Sequence, residues 1–195
     1  MSLVPAGPAP ADPGPLLSVQ VVQPAALDLD PLEALWCSLL ERHAALRPEL
    51  PARSRADSWP RRRAQYERWL ASPGSFAVLA RRGRGLVGYA LVEIQEPDET
   101  FVTGPVADVQ TLVVAPGERG AGLGSALMDA VDAELDRLGI GDVLLGCLVG
   151  NHAAARFYER RDFVPFVNLL YARRRGVAAV APPTPPDDSS PEEDA

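Results

Sequence analysis

The chain has 195 residues, of which 47% are hydrophobic, so it is long enough for one domain with a substantial core and too short for two ordinary domains. The formal net charge is −7, but the acidic segment 176–195 carries −5 of it, and the nearly neutral remainder gives no support for a nucleic-acid partner. All 19 basic residues are Arg, which excludes any site that requires a lysine.

The two ends differ in composition from the rest of the chain. Residues 1–17 are rich in Pro, Ala and Gly, and residues 176–195 in Pro and acidic residues, so both are predicted to be disordered tails around a domain over residues 18–175. We find no secretion signal and no apolar run of membrane length, which predicts a soluble, cytoplasmic protein without a membrane partner. Cys37 and Cys147 are predicted to be core thiols, and no metal-ligand spacing involves them or the two histidines.

Apolar periodicity, proline stops and glycine turns predict ten helices and strands. The first half of the chain is predicted to form a strand over Leu16–Val22, a helix that begins near Pro31 and ends before Pro48, and a second helix that Ser58 caps, with Pro60 in its first turn and Leu70 at its end. A hairpin of Phe76–Ala80 with Leu86–Ile94, a turn-like segment Pro97–Pro105 and a strand over Val106–Val114 follow. The remaining elements are a helix from about Gly122 to Leu138, a strand over Asp142–Val149, a short helix capped by Asn151 and a last strand over Phe163–Ala172. The strand 142–149 is almost entirely apolar, which is typical of burial on both faces. The order β-α-α-β-β-β-α-β-α-β predicts an α/β (α+β) fold, a mixed sheet with helices on both sides.

A glycine-lined turn, Arg-Gly-Ala-Gly-Leu-Gly over residues 119–124, connects a strand to the following helix. It presents backbone N–H groups and the positive end of a helix dipole to an anion, which predicts a phosphate-binding site. A Walker-type triphosphate loop is excluded because it needs a lysine, and a dinucleotide fingerprint fits poorly because Ser125 stands where a glycine is needed. A turn that only packs the helix against the sheet is the alternative.

The pattern Arg-x-x-Gly-x-Gly after a Val-x-Pro strand end resembles the acetyl-coenzyme A motif of the GNAT acetyltransferase superfamily, and the order of elements over residues 18–175 is also similar to that fold. The resemblance implies a mixed, mostly antiparallel central sheet flanked by helices, with acetyl-coenzyme A as acyl donor and no metal. It implies that the strand-edge backbone of Leu112, Val113 and Val114 meets pantetheine. The residues implied for the pyrophosphate are those of the turn: Arg119, Gly120, Ala121, Gly122, Leu123, Gly124 and Ser125.

A second segment, from Asn151 to Phe163, is similar to another block of this superfamily, in which an Asn touches the pantetheine arm and a Tyr lies near the sulfur. The resemblance implies that Asn151 contacts the cofactor and that Tyr158 is the general acid. A phenol with a pKa of about 10 can deliver a proton to a departing thiolate with a pKa of about 8.5. A tyrosine that only packs on the sheet is the alternative. Asp162 stands where the family usually has Gly, and Asp tolerates the left-handed conformation better than most residues.

The general base is less clearly marked in the sequence. Alternation along the strand 106–114 predicts one shared face for Asp108, Gln110, Leu112 and Val114. Gln110 stands where similar sequences often have Glu, and an amide cannot accept the proton. Asp108 is therefore the predicted base, with Glu93 acting through water or His43 as alternatives, although each also fits a structural role. An amine that is already deprotonated would need no base.

Together the motifs predict an N-acetyltransferase that moves the acetyl group of acetyl-coenzyme A to a primary amine by direct attack in a ternary complex. The acceptor, a small molecule or a protein amine, is left open, and so is a homodimer. Two other functions also stay open: a catalytically inactive acyl-coenzyme A sensor, and an interaction protein that acts through its acidic, Pro-rich tail. Arg61, Arg62 and Arg63 would favour an acidic acceptor if they faced it, whereas a solvated helix face is the alternative.

Overall fold

The computed structural model describes residues 16–96 and 104–172. The two predicted tails lie outside the described residues except for Leu16 and Leu17, and most of the predicted turn-like segment Pro97–Pro105 does so too. The chain divides into two compact units, Met1–Arg156 and Phe157–Ala195, and each is described by itself.

The first unit is built on a five-stranded sheet whose strands stand side by side in chain order. They are β1 (Leu17–Val22), β2 (Phe76–Arg82), β3 (Gly85–Gln95), β4 (Val106–Val114) and β5 (Asp142–Leu145). Strands β1 to β4 pair antiparallel, and β5 pairs parallel with β4. This mixed, mostly antiparallel sheet confirms the predicted fold class.

The described residues contain four α-helices: α1 (Glu33–Leu46), α2 (Arg55–Leu70), α3 (Leu123–Leu138) and α4 (His152–Glu159). Pro31 lies in a short 3-10 turn directly before α1, a position where its missing N–H leaves no helix hydrogen bond unmade. The helix α3 ends at Gly139, as predicted, and supplies the crossover that a parallel β4–β5 pair requires. The helix α4 begins in the first unit and ends in the second.

The helices of the first unit cover both faces of the sheet. On one face, the buried Tyr66 of α2 shares a hydrogen bond of 2.9 Å between its hydroxyl and that of Tyr89 on β3. On the other face, a Cβ placed on Gly88 would lie 3.1 Å from the Leu127 Cδ1 atom of α3. Because adjacent strand residues point to opposite faces, α2 and α3 pack on opposite sides of β3. The main cluster of buried side chains joins α1 and α2 to the first of these faces.

The second helix begins one turn earlier than the sequence predicted. Ser54, not Ser58, is its N-cap, and the Ser54 hydroxyl accepts the backbone N–H of Asp57 at 3.1 Å. Ser58 is buried inside the helix, where its hydroxyl accepts the indole N–H of Trp36 at 3.0 Å. The prediction was wrong because a proline suggested a helix start, whereas Pro60 lies inside α2.

Two predictions near the end of the described chain are also wrong. The strand predicted over Asp142–Val149 ends at Leu145, and its side chains are half-buried or exposed because β5 pairs only with β4 among the described strands. Cys147 is consequently exposed, whereas Cys37 is buried as predicted. Residues 163–172 form no strand, although they are apolar, because they pair with no described strand, and Leu169 and Leu170 are exposed.

A β-bulge changes which side chains of β4 share a face. Glu93 of β3 pairs with Asp108 and Leu91 pairs with Thr111, so β4 has one residue more than β3 between these pairs. Leu91 and Glu93 point to the same face, and their partners Asp108 and Thr111 must therefore share it as well. The predicted common face of Asp108 with Leu112 and Val114 is thus wrong, because simple alternation fails at the bulge. Asp108 lies on the face that packs against α2.

Candidate active site

The glycine-lined turn forms an open helix N-terminus. Gly120 and Gly122 have φ angles of 80° and 82°, a left-handed conformation that disfavours residues with a Cβ. Among the described residues, no heavy atom other than those of the adjoining residues lies within 4 Å of a Cβ built at either position, so the backbone here faces open space. The helix begins at Leu123, and Ala126 is the first residue whose N–H donates to the turn, to the Gly122 carbonyl at 3.0 Å. The N–H groups of residues 123–125 thus have no intrahelical acceptor and can bind an anion.

Two arginines lie near this turn. The Arg119 guanidinium donates through Nε to the carbonyl oxygen of Val114 at 3.1 Å, which fixes the side chain across the end of β4. Burial lowers the pKa of Arg119, and the positive charge of Arg42 lowers it further. Arg42, on α1, donates to the Asn151 Oδ1 atom at 3.2 Å. The turn, Asn151 and α1 therefore meet around two cations, a suitable environment for phosphate groups.

Asn151 caps α4, as predicted. Its Oδ1 atom accepts the backbone N–H of Ala154 at 3.4 Å in addition to the Arg42 guanidinium. Both contacts use the oxygen, so neither uses the side-chain NH₂ group. A cap that leaves two donors in this way can also donate to a ligand.

The strands β4 and β5 pair over only part of their length. Val106 to Val109 pair with Asp142 to Leu145, and among the described residues no partner on the β5 side pairs with β4 beyond Val109. Leu112, Val113 and Val114 pair with β3 on their other side. Their outer backbone edge can therefore form main-chain hydrogen bonds with an extended ligand, as an added strand would.

A pair of carboxylates lies across β3 and β4. Glu93 and Asp108 are direct cross-strand partners, and the Gln110 Nε2 group donates to Glu93 Oε2 at 2.8 Å and to Asp108 Oδ2 at 3.0 Å. Gln95 donates in the same way, at 2.8 Å to Glu93 and 3.5 Å to Asp108. Neutral amides rather than cations thus hold the two acidic groups together.

The environment of Asp108 favours proton uptake. Burial raises the pKa of Asp108 to about 6, and the negative charge of Glu93 adds to the shift. Both effects disfavour the charged carboxylate. A half-buried carboxyl group whose pKa lies near the working pH can act as a general acid or base. The structure brings together two candidate bases from the sequence analysis, Asp108 and Glu93, with the amide of Gln110.

His43 is a weaker candidate for the base. It is half-buried on α1, and burial is the main cause that lowers its pKa, with smaller contributions from Arg62 and Arg42. The surrounding cations therefore oppose uptake of a proton by its imidazole.

Tyr158 belongs to the second unit. Its ring packs edge-on against Phe157 and Phe163, with centroid distances of 5.2 and 5.7 Å. The chain turns at Asp162, whose φ of 64° is the left-handed conformation that Asp tolerates better than most residues. The role of the Tyr158 hydroxyl stays a prediction.

Within residues 16–96 and 104–172, no group of three or more acidic, His or Cys side chains could hold a metal ion. Over the same residues, no helix is both long and apolar enough to cross a membrane.

An independent comparison with protein families gives a match on the same region. The profile of the acetyltransferase (GNAT) family matches residues 40–163, which include the bulged strand, the glycine-lined turn and Asn151. The chain belongs to the GNAT acetyltransferase family. This membership confirms the resemblance to the GNAT superfamily, a family of acetyltransferases, that the sequence showed.

Individual proteins similar to the chain agree with the family. A mycothiol acetyltransferase from Thermobispora bispora is 35% identical over 142 residues, which cover 72% of this chain and 46% of that protein. The chain thus spans about half the length of this curated relative. An aminoglycoside N-acetyltransferase solved in complex with coenzyme A has the same fold, with a TM-score of 0.57, 17% identity, and coverage of 89% of this chain and 99% of that chain. The BH1408 protein tetramutant from Bacillus halodurans has a TM-score of 0.66 at 15% identity, covering 80% and 99% of the two chains.

Sequence reasoning missed two contributors to this site. Arg42 contacts Asn151 across 109 positions of the chain, and Gln95 reaches the carboxylate pair from β3. Alternation along the predicted hairpin would have placed Gln95 on the face of Glu93. No local pattern marks Arg42, since the contact depends on how α1 packs near the start of α4.

Proposed function

We propose that this protein is an N-acetyltransferase that transfers the acetyl group of acetyl-coenzyme A to a primary amine by direct attack in a ternary complex. The observation that carries the proposal is that β4 holds both halves of such a site. Its residue Asp108 lies in the carboxylate pair, and its far end leads into the glycine-lined turn. One rigid strand therefore fixes the distance between a candidate base and a candidate phosphate site.

For the cofactor, we propose that the N–H groups of the turn 119–125 bind pyrophosphate. Arg119 and Arg42 would add positive charge. The open backbone edge of Leu112 to Val114 would pair with pantetheine, and Asn151 would donate its NH₂ group to the same arm. The supporting features are the left-handed glycines, the open space in front of them and the one-sided pairing of β4.

For the chemistry, we propose that Asp108 accepts a proton from the acceptor ammonium group, directly or through water. An ammonium group with a pKa near 10 is a poor nucleophile until it loses that proton, and a carboxylate with a pKa of about 6 is a better acceptor than an ordinary one. The neutral amine then attacks the thioester carbonyl carbon. As the tetrahedral intermediate collapses, the carbon–sulfur bond breaks and the thiolate takes a proton, for which Tyr158 is the proposed donor. The attacking nitrogen loses its second proton to give the amide, and that proton restores the phenol directly or through water.

The cofactor part is tested by thermal unfolding with coenzyme A. At 100 times its dissociation constant the ligand should stabilise the wild-type protein by about 2.7 kcal/mol. A Gly122→Val variant places a β-branched side chain at a φ of 82° and in front of the proposed pyrophosphate site, so it should lose this stabilisation. Gly117→Val, at a nearby turn position where a Cβ also meets no atom, is the matched control. Equal stabilisation of Gly122→Val and wild type would refute the assignment.

The transfer itself is tested by thiol release from acetyl-coenzyme A over a panel of amines. The panel should include amines related to mycothiol, because the chain is similar to proteins named mycothiol acetyltransferases. Tyr158→Phe keeps the ring, so coenzyme A affinity should persist while kcat falls by about 10²–10⁴. Unchanged kcat would remove Tyr158 from the mechanism. Tight binding of coenzyme A without thiol release for any amine would contradict the proposal and favour an acyl-coenzyme A sensor.

A further inference from the structure

A groove between α1 and α2 is lined by arginines. It has a volume of about 640 Å³. Its basic lining residues are Arg53, Arg61, Arg62 and Arg68, and Trp36, Gln65 and Ser58 complete the polar and aromatic lining. No acidic residue lines it. The groove is therefore a concave surface with one sign of charge.

Arg62 forms the centre of this groove. Its guanidinium lies 4.0 Å from the centroid of the Trp36 ring and 5.2 Å from that of Trp69. Burial lowers the pKa of Arg62, and its Nε–H group is buried without a hydrogen-bond partner among the described residues. A buried donor without an acceptor is costly, so such groups are normally satisfied. Within the described part of the chain, the cation lies against the aromatic rings of Trp36, Trp69 and Tyr66 instead.

Two other arginines of α2 are neutralised by carboxylates, unlike the arginines of the groove. Arg63, the next residue along α2, pairs with Asp30 and Glu67. Arg55, on the same helix, pairs with Glu41. None of the ion pairs of the described residues involves the four arginines of the groove.

The groove and the carboxylate pair lie on the same face of the sheet. The Arg62 guanidinium lies 5.7 Å from the centroid of the Tyr66 ring. The Tyr66 hydroxyl hydrogen-bonds to the Thr111 hydroxyl of β4 at 2.9 Å, and Thr111 directly follows Gln110 of the carboxylate network. One buried side chain thus separates the arginine groove from the strand that carries the proposed base.

We infer that this groove binds an anionic group, a carboxylate or a phosphate, of the acetyl acceptor, so that the acceptor is an acidic amine. This inference rests on the proposed acetyltransferase function. The anion would accept the hydrogen bond that the buried Arg62 Nε–H lacks, and Arg61 and Arg68 would donate charge-assisted hydrogen bonds to it from the more exposed side. The positive groove would thus attract the acidic group of the acceptor.

Binding of the anion is tested first, on protein saturated with coenzyme A so that the glycine-lined turn is occupied. The chain contains three tryptophans, Trp36, Trp59 and Trp69, and all lie on α1 or α2, so tryptophan fluorescence reports on the groove. Inorganic phosphate and citrate are the probes. Both should change the fluorescence saturably, and a variant with Arg61→Gln and Arg68→Gln should weaken the binding at least about tenfold. A variant with Arg84→Gln and Arg160→Gln removes the same charge elsewhere and should bind within about twofold of wild type.

Acetylation is measured on matched pairs of amines that differ by one acidic group: ethanolamine with phosphoethanolamine, and tyramine with tyrosine. We expect kcat/KM to be at least about tenfold higher for the acidic member of one pair, and the pair that shows the preference identifies phosphate or carboxylate. The groove variant should raise KM for that amine and leave kcat within about twofold. Equal use of acidic and neutral amines would overturn the inference while the acetyltransferase function stands. If no amine is acetylated, the proposed function fails, and absence of saturable phosphate and citrate binding then overturns the anion site as well.

Discussion

The carboxylate pair on β3 and β4 and the arginine groove between α1 and α2 carry opposite charges, but in both regions neutral groups rather than counter-ions contact the charged side chains. In the first, neutral amides of Gln95 and Gln110 hold two acids together. In the second, aromatic rings hold Arg62 without a carboxylate. Each region keeps a charge that a nearby counter-ion would otherwise cancel, and uncancelled charge in a half-buried place is what proton transfer and ligand recognition require.

The largest effect is expected on the reaction rate, at Asp108, whose carboxylate is the proposed proton acceptor. Asp108→Asn should lower kcat by about 10²–10⁴, because the amide cannot accept a proton. In the wild type, kcat/KM should fall as the pH drops below about 6, since Asp108 is then protonated, and the variant should lack this fall. Rate profiles between pH 5 and 9 with one validated amine measure both. Asp142→Asn, at an exposed acid on β5, is the control, and an equal loss there would deny Asp108 a special role.

A smaller effect is expected at the side chain that joins the two regions. Tyr66→Phe removes a buried hydroxyl that bonds to both Tyr89 and Thr111, so the free energy of unfolding should fall by about 1–3 kcal/mol. Tyr89→Phe removes only the hydrogen bond to Tyr66, so it should lower the free energy of unfolding by less. Urea unfolding of both variants gives the comparison. If Tyr89→Phe were the more costly of the two, the hydroxyl network would not be centred on Tyr66.

A still smaller effect is expected on stability. The difference in the free energy of unfolding between Asp108→Asn and wild type should depend on pH. The folded-state pKa of Asp108 is raised, so the folded protein holds this proton more tightly, and ionisation of Asp108 destabilises the fold as pH rises from about 4 to about 6. Above pH 6 the variant should therefore gain up to about 1 kcal/mol relative to wild type, a modest figure because solvent reaches the half-buried group. Below pH 4 this gain should vanish. Melting temperatures at pH 4 and pH 8 provide the measurement, and a gain that is larger at pH 4 would contradict the raised pKa.

The smallest effect on the free energy of unfolding is expected at Arg63, whose charge is paired with carboxylates at the surface. Arg63→Gln breaks the ion pairs with Asp30 and Glu67, and all three side chains are largely exposed. The free energy of unfolding should change by less than about 1 kcal/mol, and less still at high salt. Urea unfolding at low and high ionic strength checks this. A loss above 2 kcal/mol would mean that α2 depends on this pair for its position.

The sequence predicted a structural feature correctly mainly where neighbouring residues alone determine that feature. The glycine-lined turn and the cap at Asn151 were found from a few neighbouring residues, because backbone conformation at a turn is set by those residues themselves. The N-cap of α2 was missed, although it is equally local, because Ser54 and Ser58 both fit the pattern and Pro60 favoured the wrong one.

The sequence by itself determined the family, the order of helices and strands up to α4, and the turn that can bind phosphate. Only the tertiary structure decided which side chains of β4 share a face, because a bulge depends on the register with β3 rather than on the residues of β4 alone. It also decided that Arg42 meets Asn151 and that Arg62 stays without a carboxylate, since both facts depend on which surfaces the helices bring together. Local propensity cannot encode contacts between residues that are far apart in the chain.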